Sequence, residues 1–178
     1  FDYYFWQEYL PEQWAKKNNM STQEAKIKLL DWYEKESGTL SWYCLDFWTQ
    51  KLNFDVFALK ADVRHLIKYR PHAESFLRRL NDSDLSLIMV TNAHEKLIKM
   101  KTKETGIDAF FSEIISSHSI GHAKEENAFW EKLKSKVPFD ENKTLLIDDN
   151  LTVLRTAREF GIKHLLTVAK PNSHKPNQ

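Results

Sequence analysis

The pattern of apolar and polar positions changes character near residue 70. Before that point the apolar residues keep helical spacing. Tyr3, Trp6, Leu10 and Trp14 recur three and four residues apart, which predicts a helix over 3–18 with these side chains on one face. Ser21 and Glu24 stand in capping-box register, where each side chain satisfies the other's free backbone N–H. The helix that follows is expected to bury Ala25, Leu29, Trp32 and Tyr33. Further helices are predicted over about 40–52 and 55–68, and no strand pattern occurs before residue 70. Beyond it, helices over 71–81, 94–105, 124–136 and 151–160 alternate with short apolar strands over 85–90, 113–117, 144–147 and 162–168. Gly106 and Gly161 supply left-handed stops after two of those helices. The alternation predicts an α/β fold, a Rossmann-like parallel sheet with helices on both faces, behind an all-helical region. The boundaries read from the pattern are 1–69 for the helical region, 70–170 for the α/β core and 171–178 for a polar, loosely ordered tail.

Composition narrows the function classes. The chain has 178 residues, enough for one domain or a core with an insertion. Five of its six tryptophans (Trp6, Trp14, Trp32, Trp42 and Trp48) lie in the helical region. Large rings there fill a small bundle's core, and one or two of them are candidates to line a pocket for a flat ligand. With 26 basic and 25 acidic side chains, no basic excess points to nucleic acid. The single cysteine, Cys44, excludes an internal disulfide framework and fits a reducing cytoplasmic setting. It has no identifiable base nearby and is expected to be a buried thiol. No apolar run approaches the roughly 20 residues of a membrane span, and no secretory signal pattern opens the chain.

In parallel α/β sheets, ligands bind beyond the carboxyl ends of the strands. That rule selects Thr91 and Asn92, the loop from Ser116 to Lys124, and Asp148 with Asp149. Adjacent carboxylates suit a hard cation such as Mg²⁺, and a hydroxyl, an ammonium group and backbone amides suit a phosphate. Each residue also has a plainer role. Thr91 starts a turn, Lys124 is a solvated first-turn residue, and Asp149 or Asn150 caps the next helix. His118 and His122 flank Gly121 in a loop, which is the wrong setting for a transition-metal pair. His94 begins a helix beside Thr91 and Asn92.

Val90-Thr91-Asn92, Gly121-His122-Ala123-Lys124-Glu125 and Leu146-Ile147-Asp148-Asp149-Asn150 resemble the second, third and fourth motifs of the haloacid dehalogenase superfamily of phosphohydrolases. The helical region resembles that superfamily's cap. Phe5-Trp6, the segment from Trp42 to Trp48, and Thr91-Asn92-Ala93-His94 are similar to a bacterial subgroup of purine-specific GMP/IMP 5′-nucleotidases. The resemblance implies Mg²⁺-dependent hydrolysis of a purine nucleoside monophosphate through an aspartyl-phosphate. It implies that Asp148 and Asp149 serve the metal, that Thr91, Asn92 and Lys124 hold the phosphate, and that Thr91 and Lys124 assist the chemistry. In the cap, Trp42, Tyr43 and Asp46 are the candidates for the nucleoside. The partner is then a small phosphoester, with neither nucleic acid nor membrane involved.

The superfamily's first motif, D-x-D-G-T, carries the nucleophile and does not occur in this sequence. The resemblance places it, with a central strand, ahead of the cap. The expectation is therefore a sheet interrupted at that strand, and 178 residues that by themselves neither fold soundly nor turn over substrate. Two alternatives share the fold: a capped phosphatase for another small phosphoester such as a sugar phosphate, and a non-catalytic relic.

Overall fold

The structure is a computed structural model that describes residues 1–168, so the tail over 171–178 lies outside the described residues. It divides into two units, Phe1–Ser116 and a second beginning at Ser117. In the first unit, α1 (Asp2–Tyr4) passes through a π-helical turn (Phe5–Tyr9) into α2 (Leu10–Lys17). Then come α3 (Thr22–Glu36), α4 (Leu40–Tyr43), α5 (Leu45–Leu52), α6 (Val56–Asp62) and α7 (Ala73–Asn81). Strand β1 (Ile88–Thr91), helix α8 (Glu95–Thr105) and strand β2 (Glu113–Ser116) complete it. The second unit holds α9 (Ser117–Ile120), α10 (Asn127–Lys136), β3 (Leu145–Asp148), α11 (Leu151–Phe160) and β4 (His164–Thr167).

All four strands fall where the alternation predicts, and both pairings are parallel. Ile88 faces Glu113 through to Thr91 facing Ser116, and Leu145 faces His164 through to Asp148 facing Thr167. The described strands form two separate two-stranded ladders, one in each unit.

The first helix departs from its predicted face. The Leu10 amide bonds to the Phe5 carbonyl, one residue further back than in an α-helix. That π turn rotates everything before it by one position. Phe5 is therefore fully buried beside Leu10 and Trp14, and Tyr3 is exposed. The capping box forms as read, with Ser21 Oγ accepting from the Glu24 amide and Glu24 Oε2 accepting from the Ser21 amide. Ala25, Leu29 and Tyr33 are buried behind it, whereas Trp32 is only half-buried.

The helix predicted over 40–52 is broken at Cys44, whose backbone is extended (φ −85°, ψ 113°). Its Sγ accepts from the Phe47 amide at 3.4 Å, so Cys44 caps α5 and is half-exposed rather than buried. The break brings four rings into mutual contact. Trp6, Tyr33, Trp42 and Trp48 pair with one another at centroid separations of 5.1–5.8 Å, and all but one pair are edge-on. Such ring pairs contribute about 0.5–1.5 kcal/mol each beyond their buried area. The predicted helix over 55–68 likewise ends early, at Asp62, and continues as a 3₁₀ turn at Arg64–Leu66.

Lys60 of α6 is the unit's costliest side chain. It is 1 % exposed, lies 4.1 Å over the Phe5 ring and 4.9 Å over those of Phe1 and Trp6, and meets Asp2 Oδ1 at 3.0 Å. Asp2 Oδ2 takes Lys101 Nζ of α8 at 2.5 Å. Burial pulls the Lys60 ammonium down from its ordinary pKa, and Asp2 opposes that. Burial pushes the Asp2 carboxyl up, but Lys101 and Lys60 outweigh it and hold the group well below the usual carboxylate range.

Three outcomes follow from this charge cluster. Asp2→Asn strands a buried ammonium group, so it should lower unfolding free energy by about 1–3 kcal/mol, less than for a fully buried pair because Asp2 is half-exposed. Lys60→Met keeps the contact with the rings and leaves Asp2 its Lys101 partner, so denaturant titration should place it within about 1 kcal/mol of the parent. A depressed folded-state pKa at Asp2 stabilises the fold above the ordinary carboxyl range. That contribution should fade as pH falls below about 4, and an acid titration of the Asp2→Asn variant should lack it.

Candidate functional site

The first unit presents the end of β1. Thr91 Oγ1 accepts from the Ala93 amide at 3.1 Å, which turns the chain sharply and leaves the hydroxyl proton to donate. Asn92 is buried in that turn. Ser116, at the end of β2, donates to the Ala93 carbonyl at 2.8 Å and ties the two strand ends together. His94 then caps α8, its Nδ1 accepting from the Lys96 amide at 3.3 Å. An accepting Nδ1 puts the proton of the neutral ring on Nε2.

The cap candidates take different positions. Trp42 lies in the aromatic quartet, stacked on Trp6 at 28° with its carbonyl accepting from Trp48 Nε1 at 2.8 Å. Tyr43 ends α4 and is half-buried. Asp46, in the first turn of α5, reaches the β1 end. Its Oδ1 accepts from Lys96 Nζ at 2.8 Å and its Oδ2 stands 3.6 Å from His94 Nε2. The hydrogen bond and charge of Asp46 raise the Lys96 pKa above its ordinary value.

In the second unit Lys124 and Asp148 meet. Lys124 Nζ donates to Asp148 Oδ2 at 2.5 Å, and both side chains are about nine-tenths buried. Lys124 does not open α10 as predicted. It sits in the turn before Asn127, because several bonds hold that turn outside the helix. Glu126 accepts from the Ala123 amide and contacts His122 Nδ1 at 2.8 Å, and this partner lowers the Glu126 pKa. The Lys124 carbonyl accepts from Trp130 Nε1 at 2.9 Å. The Glu125 carbonyl accepts from Thr156 Oγ1, and its side chain accepts from Asn150 Nδ2 at 2.9 Å.

At the end of β3, Asp148 Oδ1 accepts from the Asn150 amide at 2.9 Å. Asn150 caps α11, its Oδ1 accepting from the Thr152 amide. That leaves Asp149 without the capping role and exposed to solvent. Among the described residues, no group of three or more His, Cys, Asp and Glu side chains gathers as a metal cluster. Two carboxylates remain at this strand end. Each Asp148 oxygen accepts one hydrogen bond and keeps a lone pair free, so the donor set fits a hard cation that retains most of its waters.

Sequence reasoning missed Lys96, the bracing of the Lys124 turn by Glu125 and Trp130, and the π turn. The contacts of Asp46 with Lys96 and of Asn150 with Glu125 span 50 and 25 residues, so no local pattern could announce them.

Residues 1–167 match the family of haloacid dehalogenase-like hydrolases. The chain is 35% identical over 173 residues to a GMP/IMP nucleotidase, YrfG, of Escherichia coli K12, covering 97% of this chain and 78% of that protein. The match to the same-named protein of Shigella flexneri has the same identity and coverage. Among solved structures, a HAD phosphatase from Thermococcus onnurineus superposes with a TM-score of 0.78 at 18% identity, covering 98% of this chain and 81% of that one. A putative HAD hydrolase, YfnB, from Bacillus subtilis, crystallised with magnesium, gives 0.61 at 19% identity and covers 94% and 69%. These two show likeness of fold. Together with the parallel strands, the helical region and the residues at the strand ends, the family match establishes that the chain belongs to the haloacid dehalogenase-like hydrolases.

Proposed function

We propose that the protein is a Mg²⁺-dependent phosphomonoester hydrolase acting on purine 5′-mononucleotides. The observation that carries this reading is the buried Lys124–Asp148 pair at the end of β3, with Asp149 exposed beside it. Similarity to a GMP/IMP nucleotidase supports the choice of substrate. In this reading the helical region, 1–69, is a cap on a core over 70–170.

Each residue then has a definite task. Thr91 donates its hydroxyl proton to a phosphate oxygen, assisted by the Asn92 amide. Lys124, paired with Asp148, donates a hydrogen bond to a phosphate oxygen, and its buried aliphatic stem and braced turn hold the ammonium in one place. Fixed charges cost no reorganisation as the transition state forms. Asp148 and Asp149 would hold Mg²⁺, which when bound supplies Lewis-acid neutralisation of phosphate oxygens. Tyr43 and Asp46 face the nucleoside, with Trp42 as the aromatic wall behind them.

Asp149→Asn tests the metal assignment cleanly, because Asn150 is the helix cap. Its melting temperature should match the parent, while phosphate release from GMP at low Mg²⁺ falls by about tenfold or more and recovers in part as Mg²⁺ is raised. Unchanged turnover at low Mg²⁺ would remove Asp149 from the metal site. Asp148→Asn also strands the Lys124 ammonium, so it should cost about 3 kcal/mol of stability in addition to activity. A panel of GMP, IMP and sugar phosphates, assayed with full-length protein, tests the substrate class. Turnover of a sugar phosphate equal to that of IMP would overturn the nucleotidase assignment.

A further inference from the structure

Three features of the first unit converge beside the end of β1. Asp46 and Lys96 form an ion pair on the surface, with side chains 58% and 51% exposed, so both remain open to a ligand. His94 lies beneath them with its side chain 14% exposed, and its Nε2 faces Asp46 Oδ2. His94 and Lys96 follow Thr91 and Asn92 directly in the chain, so the pair is tied to the turn assigned above to the phosphate. A carboxylate and an ammonium group side by side present an acceptor next to a donor.

We propose that Asp46 and Lys96 together read the edge of a 6-oxopurine, Asp46 accepting from the ring N1–H and Lys96 donating to O6, with His94 as the residue that positions Asp46. This rests on the phosphohydrolase reading and adds to it the feature by which the base is chosen. Hypoxanthine and guanine share the N1–H donor and the O6 acceptor. Adenine reverses both, so its N1 lone pair would face the carboxylate and its amino group would face the ammonium. Discrimination then arises from repulsion against the wrong base as much as from attraction to the right one. The 2-amino group of guanine is not read, so IMP and GMP are treated alike. Hydrogen bonds to charged groups are each worth about tenfold to a hundredfold in binding.

His94 acts through Asp46. Its Nδ1 is committed to capping α8, which fixes the ring, and Nε2–H is thereby aimed at the carboxylate. Asn at this position still caps a helix, but its shorter side chain takes away the Nε2–H that faces Asp46.

The test uses full-length protein with Mg²⁺. Hydrolysis of p-nitrophenyl phosphate by the unsubstituted protein first establishes phosphohydrolase chemistry without any base; its absence would sink the functional reading above rather than this one. The ratio of kcat/KM for IMP over AMP is then measured. The unsubstituted protein should prefer IMP by at least tenfold. Lys96→Met and Asp46→Asn should each reduce that ratio by tenfold or more, and the exchange Asp46→Lys with Lys96→Asp should move the preference towards AMP. His94→Asn should raise KM for IMP several-fold while leaving kcat and the melting temperature near the parent values, which a merely structural role would not produce. Binding of inosine against adenosine, followed by tryptophan fluorescence, gives the same ordering without catalysis. An IMP/AMP ratio unmoved by both single substitutions at Asp46 and Lys96, in folded protein that hydrolyses p-nitrophenyl phosphate, overturns the proposal.

Discussion

The first unit is organised around a lysine that has no room to be wrong. Lys60 is sealed among the rings of Phe1, Phe5 and Trp6, so its charge must be met from inside. Asp2 does so, and it also binds Lys101, which joins the start of the chain to α6 and to α8, the helix that leaves the Thr91 turn. One carboxylate therefore connects positions 58 and 99 residues away in sequence. Buried ion pairs are weak sources of stability, but removing one partner leaves an uncompensated buried charge, so Asp2 and Lys60 depend on one another. The π turn is part of this arrangement. It brings Phe5 under Lys60 and beside Leu10, where an uninterrupted α-helix would have placed Tyr3 or Trp6.

Where local chemistry is sufficient, the elements could be read from the sequence. The Ser21–Glu24 box, the Gly106 stop and the four strands all rest on spacing within a few residues, and they appear where spacing puts them. The misplacements share one cause, which is a distant partner overriding a local preference. Cys44 breaks a continuous helical pattern because Trp42 and Trp48 reach a closed quartet with Trp6 and Tyr33 only if the chain bends there. Lys124 stays outside its helix because Thr156 and Asn150 hold the adjoining Glu125 from a distance, while Trp130 of α10 reaches back to the Lys124 carbonyl.

The strand ends were legible to the same degree. Strand ends gave Thr91, Asn92, Asp148 and Asp149 without knowledge of their partners, because parallel topology alone exposes those positions. What sequence could not supply was the division of labour between the two aspartates. Asp148 is buried and paired, whereas Asp149 is exposed and free of the capping duty that Asn150 performs.

That division settles a question of charge. Lys124 and Asp148 neutralise one another, and Asp149 adds one negative charge, with Glu125 a second close behind through Asn150. Taken alone, the end of β3 would repel a phosphate dianion, and a single lysine could not reverse that. In the proposed function, a divalent cation held by the two aspartates would shift the local balance by two charges, while the ammonium of Lys124 keeps its partner and its position. The lysine would then be a fixed donor whose charge is already set against Asp148, and the attraction for substrate would depend on the cation. In that reading, affinity for the anionic substrate and affinity for the metal would be linked quantities, because the carboxylates that hold the cation are the ones that would otherwise repel the phosphate.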